Sequence, residues 1–392
     1  MPTDPFVVTP YEVRGAIDYD RLRELFGTQP LGEGELALLR ELAGGELPAL
    51  LTRGVYCSQR DLSRLLSEHR AGRRFVLYSG RGPSGPVHTA HLIHFRLCQW
   101  LQERLHVPMY IQITDDEKFW VRPGSTPAET ARWGYENLLD LLAVGFDPKR
   151  TRVFFDTRSI GTMYPLAVEV AKRIPYSTVK AVFGFRPATN IGLVFYTALQ
   201  TVPAFYPSWK AGRPVPCLIP CGIDQDPHFR VTRDIAEALG YPKPALLHGQ
   251  IVPGLSGGAK MSAGGDRADD ALFLSDPPAE VDRKVRRAFT GGRASVEEQR
   301  RLGATPEICS VWALWRTQFA RDEDEFQTVT RDCRSGAMLC GECKEKVIER
   351  IRPFFAEHAV RREKARDVAD SLILEARPGG TGPDHAPELP EP

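Results

Sequence analysis

The sequence predicts an α/β fold: a parallel sheet with helices on both faces, a small N-terminal appended region, and an all-helical C-terminal domain. Three observations predict it. Short apolar runs alternate with runs of helical period over roughly 200 central residues. Strand-like runs stop after about Leu274, where the pattern becomes purely helical. Before Arg74, proline and glycine separate short pieces: a strand-like V-V-T-P-Y-E-V, then helical runs at Tyr19 to Phe26, Glu35 to Leu42 and Asp61 to Arg70.

The central unit is Phe75 to Lys118. Phe75 to Ser79 is a short apolar and aromatic run that stops at Gly80, as a strand buried on both faces would. From Thr89 the apolar residues Leu92, Phe95, Leu97, Trp100, Leu101 and Leu105 recur at helical spacing. Pro108 opens a second strand, with Met109, Ile111 and Ile113 on one face and Tyr110, Gln112 and Thr114 on the other. The glycine-bearing loop between them ends at a helix N-terminus, which offers unpaired N–H groups and the positive end of the helix dipole to a phosphate. His88 and His91 share a face at that helix start and could reach the same anion. Gly80, Gly82 and Gly85 have G-x-G-x-x-G spacing but precede Pro86, so the third glycine does not open the helix. No Walker lysine follows.

Farther along, Thr126 before Pro127 reads as an N-cap followed by a first-turn proline, opening an amphipathic helix to Val144. Arg152 to Asp156 reads as a strand and Met163 to Arg173 as a helix. The apolar run P-V-P-C-L-I-P-C ends in Gly222 and then Asp224, Gln225 and Asp226, polar groups at the carboxyl end of a strand, where open α/β sheets hold ligands. Lys260 stands in the glycine-flanked loop Gly257 to Asp266, which can deliver a charge on closing. Helix candidates follow at Ser295 to Arg301, Ser310 to Phe319, Glu323 to Cys333, Gly341 to Glu357 and Val360 to Ala376.

Composition sets limits. With 51 basic and 50 acidic residues the net charge is +1, so any RNA site must be a local patch. Arg283, Lys284, Arg286 and Arg287 are such a patch or a solvated face laced with ion pairs. The first residues lack a signal-peptide pattern and no apolar run reaches about 18 residues, so a cytoplasmic protein without a membrane span is expected. Eight cysteines are too sparse for a disulfide scaffold. Cys340-Gly-Glu-Cys343 has no second pair of that spacing and reads by default as free thiols, with zinc the alternative; no metal ligand is assigned.

These motifs together resemble a class I aminoacyl-tRNA synthetase, in the eukaryotic and archaeal tryptophanyl branch. The likeness runs from about Asp4 to Ala376 and is carried by G-R-G-P-S from Gly80, His88-Thr89-Ala90-His91 in place of HIGH, I-Q-I-T-D-D-E-K, I-D-Q-D-P, Y-P-K-P-A-L-L-H, Lys260-Met261-Ser262-Ala263 in place of KMSKS, and S-G-A-M-L. The resemblance implies a small appended region over 1–73, a Rossmann-type catalytic domain over 74–274 with a connective insertion at about 119–200, a helical anticodon-binding domain over 275–377 and a disordered tail over 378–392. It implies ATP and Mg²⁺ as substrate and cofactor, L-tryptophan and tRNA(Trp) as partners, and a homodimer. His88, His91 and Lys260 would act on the phosphates as catalytic residues, with Arg81, Gly82, Ala90, Met261 and Ser262 binding ATP. Tyr78 and Gln112 would meet the indole N–H, and Glu117, Gln200 and Gln225 would hold the α-ammonium. Two residues depart from the family pattern: Ala90 stands where the signature has glycine, and Gly264 where the second motif has serine. A tyrosyl enzyme, a paralog that passes its adenylate to a small amine or carrier, and a non-enzymatic tRNA-binding regulator are the alternatives.

Overall fold

The computed structural model describes residues 6–9, 13–261 and 268–376; Ser262, Gly264 and the expected tail at 378–392 lie outside them. Strands β1 (Val7–Val8) and β2 (Val13–Arg14) form a small antiparallel ladder. A seven-stranded sheet contains β3 (Gln29–Pro30), β4 (Tyr56–Arg60), β5 (Val76–Arg81), β6 (Met109–Ile113), β7 (Thr151–Phe155), β8 (Cys217–Gly222) and β9 (Ala245–Gly249). Its order is β3-β4-β9-β8-β5-β6-β7.

Five of these strands are parallel, as expected, but β3 and β4 are antiparallel additions at one edge. They come from the first 73 residues, so this stretch extends the sheet as well as adding helices beside it. From β5 the chain moves through β6 to β7 on one side, and later through β8 to β9 on the other. That reversal opens a crevice at the carboxyl ends of β5 and β8, the place where such sheets bind ligands. Both faces are covered: Leu77, Ile111 and Val153 belong to one core, Val76, Tyr78, Tyr110 and Phe154 to the other.

The helix Thr89–Leu105 follows β5, and Pro127–Leu142 is capped by Thr126, whose hydroxyl accepts from the Glu129 N–H at 3.2 Å. The C-terminal part carries helices joined by short loops among its described residues, with one bridge from Ile373 to Val153 of β7. Gly341–Glu357 and Val360–Ala376 were expected as two helices; one helix, Cys340–Leu372, replaces them. His358 and Arg362 bridge the expected break by pairing with Asp140 (3.1 and 2.9 Å), which fixes the segment across it. The basic cluster on helix Pro278–Arg287 is neutralised: Arg283 and Arg287 face Asp269, Lys284 is buried against Asp276, and Arg286 meets Glu345. Cys340 and Cys343 are free thiols that line one small cavity with Cys309 and Cys333.

Candidate active site

The crevice at the switch point is a cleft of about 360 Å³. Every site residue expected from the sequence lines it except Ser262, which is outside the described residues: Tyr78, Arg81, Gly82, His88, Ala90, His91, Gln112, Glu117, Gln200, Gln225, Lys260 and Met261.

At its floor, β5 and β6 present Tyr78 and Gln112. The Tyr78 hydroxyl lies 2.5 Å from Gln112 Oε1 and 3.0 Å from the Gln200 carbonyl oxygen, two acceptors for one proton. Gln112 Nε2 donates to both oxygens of Asp156 at 3.0 Å. Its amide is thereby oriented with the carbonyl toward Tyr78, so the pair can present an oxygen lone pair to an N–H. Asp156, at the end of β7, was not assigned a role from the sequence. Burial and then the nearby Asp116 carboxylate raise its pKa well above the ordinary range. Gln200 lines the same cleft, and its Oε1 is buried without a partner.

The opposite end is rich in donors. His88 is the residue before the first helical turn, and its ring stacks on that of His91 with centroids 3.4 Å apart. Burial, then Arg81, hold both imidazoles well below their ordinary pKa, so each is neutral and offers one N–H. Charge comes from other groups. Arg81 donates through Nε to Asn137 at 3.1 Å while its buried Nη2 has no partner, and burial lowers its pKa only to about 10, which leaves it protonated. Lys260 Nζ sits 2.7 Å from Asp224 Oδ2, and Gln225 Nε2 reaches the same oxygen at 3.3 Å. Met261 is buried, with Sδ 3.8 Å from Thr89 Oγ1, which docks the start of the loop on the signature helix.

Gly82 is closely approached: a Cβ there would stand 2.1 Å from Lys118 Cε and 2.9 Å from Glu117 Oε2, so both side chains would have to swing aside. Lys118 pairs with Glu117 at 2.8 Å. Ala90 lines the cleft and is half-buried, in the turn that also carries His88 and His91. Asp224, Lys118, Asn137 and Asp156 are the positioning residues that sequence reasoning left unassigned; the signal for Asp224 was its place after Gly222 at a strand end.

The family model described as tRNA synthetases class I (W and Y) matches residues 70–356. The chain belongs to the class I tRNA synthetases. Its likeness within that family is to tryptophan enzymes: it is 46% identical to the tryptophan–tRNA ligase of Pyrobaculum calidifontis over 95% of this chain and 99% of that one. The tryptophan–tRNA ligase of Thermococcus sibiricus is 45% identical, with 92% of each chain covered. Among solved structures, the tryptophanyl-tRNA synthetase of Aeropyrum pernix superposes with a TM-score of 0.82 at 34% identity, covering 92% of this chain and 97% of that one.

Proposed function

We propose that this chain activates L-tryptophan with ATP, forming tryptophanyl-adenylate and pyrophosphate, and then transfers the acyl group to the terminal adenosine of tRNA(Trp). The observation that carries this reading is the Tyr78–Gln112 pair: a buried acceptor, held in orientation by Asp156, at the floor of a cleft whose other end is cationic. A substrate without an indole N–H could not use that acceptor, and sites built to hydrogen-bond a substrate group discriminate by about 10⁴ to 10⁵.

The first step needs position and charge. A tryptophan carboxylate oxygen attacks the α-phosphorus, the bond to the bridging oxygen breaks, and pyrophosphate leaves. The carboxylate is already ionised at neutral pH, so no general base is required. Glu117, Gln200 and Gln225 hold the ammonium. Arg81, the His88 and His91 N–H groups and Lys260 stabilise the phosphates as charge builds on the leaving group. In the second step a tRNA hydroxyl attacks the carbonyl carbon and AMP departs. The carboxylates lining the cleft, Glu117 and Asp224, are already paired with lysines, so Mg²⁺ would enter held by the phosphates of ATP. That ion supplies charge neutralisation of the triphosphate.

In the same reading, residues 1–73 are the appended region, 74–274 the catalytic domain with its insertion at about 119–200, and 275–377 the domain that reads the anticodon. A cytoplasmic homodimer is part of it. Ile160, Tyr164 and Val168 form an exposed stripe on the helix Asp156–Ala171, an apolar surface a second copy would cover. ATP–pyrophosphate exchange over a panel of amino acids tests the function. Tryptophan-dependent exchange followed by charging of tRNA(Trp) is expected; exchange with tyrosine instead, or exchange without charging, would overturn it. Light scattering tests the dimer.

A further inference from the structure

A second cavity, of about 590 Å³, lies behind the signature helix, on a different face of Thr89–Leu105 from the one that carries His91 and His94. Three parts of the chain close it: the segment Pro48 to Arg53, the helix itself, and the C-terminal helices around Gln318 and Arg361. Four arginines line it, against one carboxylate, Glu357.

Two of the arginines are spoken for. Arg53 bonds Glu323 and three backbone carbonyls, and Arg321 pairs with Glu325. The other two are engaged less fully. Arg96 has no carboxylate or hydrogen-bond acceptor among the described residues; its guanidinium lies over the Phe354 ring, 5.7 Å from the centroid. Arg361 pairs with the exposed Glu357, but its Nε is buried without a partner. Gln318 is the third group: Nε2 and Oε1 are both buried and both unpartnered. Burial and then Arg361 hold the Arg96 pKa below its ordinary value, as two cations sharing a confined space require.

Buried polar groups are ordinarily satisfied, so several orphans among the residues that line one cavity mark what the protein expects there. Two guanidiniums and an amide N–H want an oxyanion, and guanidinium geometry suits phosphate. Gln318 Oε1 wants a hydrogen-bond donor, which a bare phosphate dianion lacks. Trp100 and Phe354 line the same space and give it apolar wall for an organic portion. The volume is in the range of small-molecule sites.

We propose that this cavity is a second ligand site, taking a phosphate ester that also carries hydroxyls. Arg96 and Arg361 hold the phosphate, and the Gln318 amide meets phosphate and hydroxyl together. A free sugar phosphate or the ribose-phosphate backbone of RNA could supply this chemistry; a volume of about 590 Å³ suits the free molecule.

Thermal unfolding of the full chain against ribose 5-phosphate, at constant ionic strength, tests it. A saturable rise of about 2 °C or more at roughly ten times the dissociation constant is expected for the wild type and for Lys260→Ala. The rise should vanish in Arg96→Met and in Arg361→Gln, the latter a partly exposed position whose loss leaves the fold intact. No saturable rise in the wild type, or an equal rise in both arginine variants, overturns the proposal. So does loss of the rise in Lys260→Ala, which would assign the binding to the front cleft. Weaker tRNA retention on filters by Arg361→Gln, with no response of the wild type to ribose 5-phosphate, overturns it in favour of RNA.

Discussion

Lys260 is kept in the cleft by Asp224, so its ammonium needs only to exchange one anion for another when a triphosphate arrives. Lys260→Ala should cut the rate of tryptophan-dependent pyrophosphate exchange by about a hundredfold or more, the scale of losing one preorganised charge on a leaving group. Ala90→Gly should lower the KM for ATP in the same assay with little change in kcat, because it removes a methyl from the wall without touching a donor. The acidic residues behind Gln112 predict a pH effect. Burial, then Asp115, raise the Asp116 pKa from 3.8 to about 7, so the native protein keeps a proton that the unfolded chain has lost. Stability contributed by this group is greatest on the acid side and falls as pH rises from about 4 to about 7. Asp116→Asn cannot ionise and should gain on the wild type across that window, then hold a constant margin above about pH 8 in urea titrations.

The elements most legible in the sequence were those with local causes. The strands β5 to β8 announced themselves as short apolar runs, and helix Pro127–Leu142 by its cap and first-turn proline. Strand β4, Y-C-S-Q-R, did not: its sequence neither alternates nor runs apolar, and its reason for being extended is a partner about 190 residues away. The helices Tyr176–Phe183, Ile191–Leu199 and Val202–Ala211 were missed because prolines punctuate them and one is apolar almost all round. In the site, residues reachable by motif were legible, whereas Asp156 and Asn137 act through other side chains and carry no motif of their own. Packing between elements predicts one further result. Gly134 on helix Pro127–Leu142 meets the Phe155 ring so closely that a Cβ would lie 2.6 Å from it and 3.1 Å from Ile113. Gly134→Ala should therefore destabilise the chain by about 1–3 kcal/mol in chemical denaturation, although alanine is the better helix former.

Across the molecule, the N-terminal region is bound to the catalytic sheet by charge as well as by strand pairing. Arg60 on β4 holds Asp226 in a bidentate pair at 2.8 and 2.9 Å, and His248 on β9 reaches the same carboxylate at 3.2 Å. Burial pushes the Asp226 pKa up, but the closeness of His248 and Arg60 more than offsets it, and the net shift is downward. Arg60→Met would leave a carboxylate buried without its bidentate partner, and a loss of about 3–5 kcal/mol is expected from the denaturation midpoint. Asp226 follows Gln225 directly, so the same variant should also raise the KM for tryptophan. The C-terminal helices are joined to this region by Arg316, which donates to the Arg53 and Gly54 carbonyls at 2.9 to 3.1 Å.

Strand β4 leaves the ribosome early, yet its hydrogen-bonding neighbour β9 is made long afterwards. During synthesis, Tyr56–Arg60 must wait with one edge unpaired while the intervening strands and helices emerge, and loop closure over such a distance slows the final pairing. The polar composition of this strand, with Ser58, Gln59 and Arg60 in place of an apolar run, suits a segment that has to stay soluble during that interval.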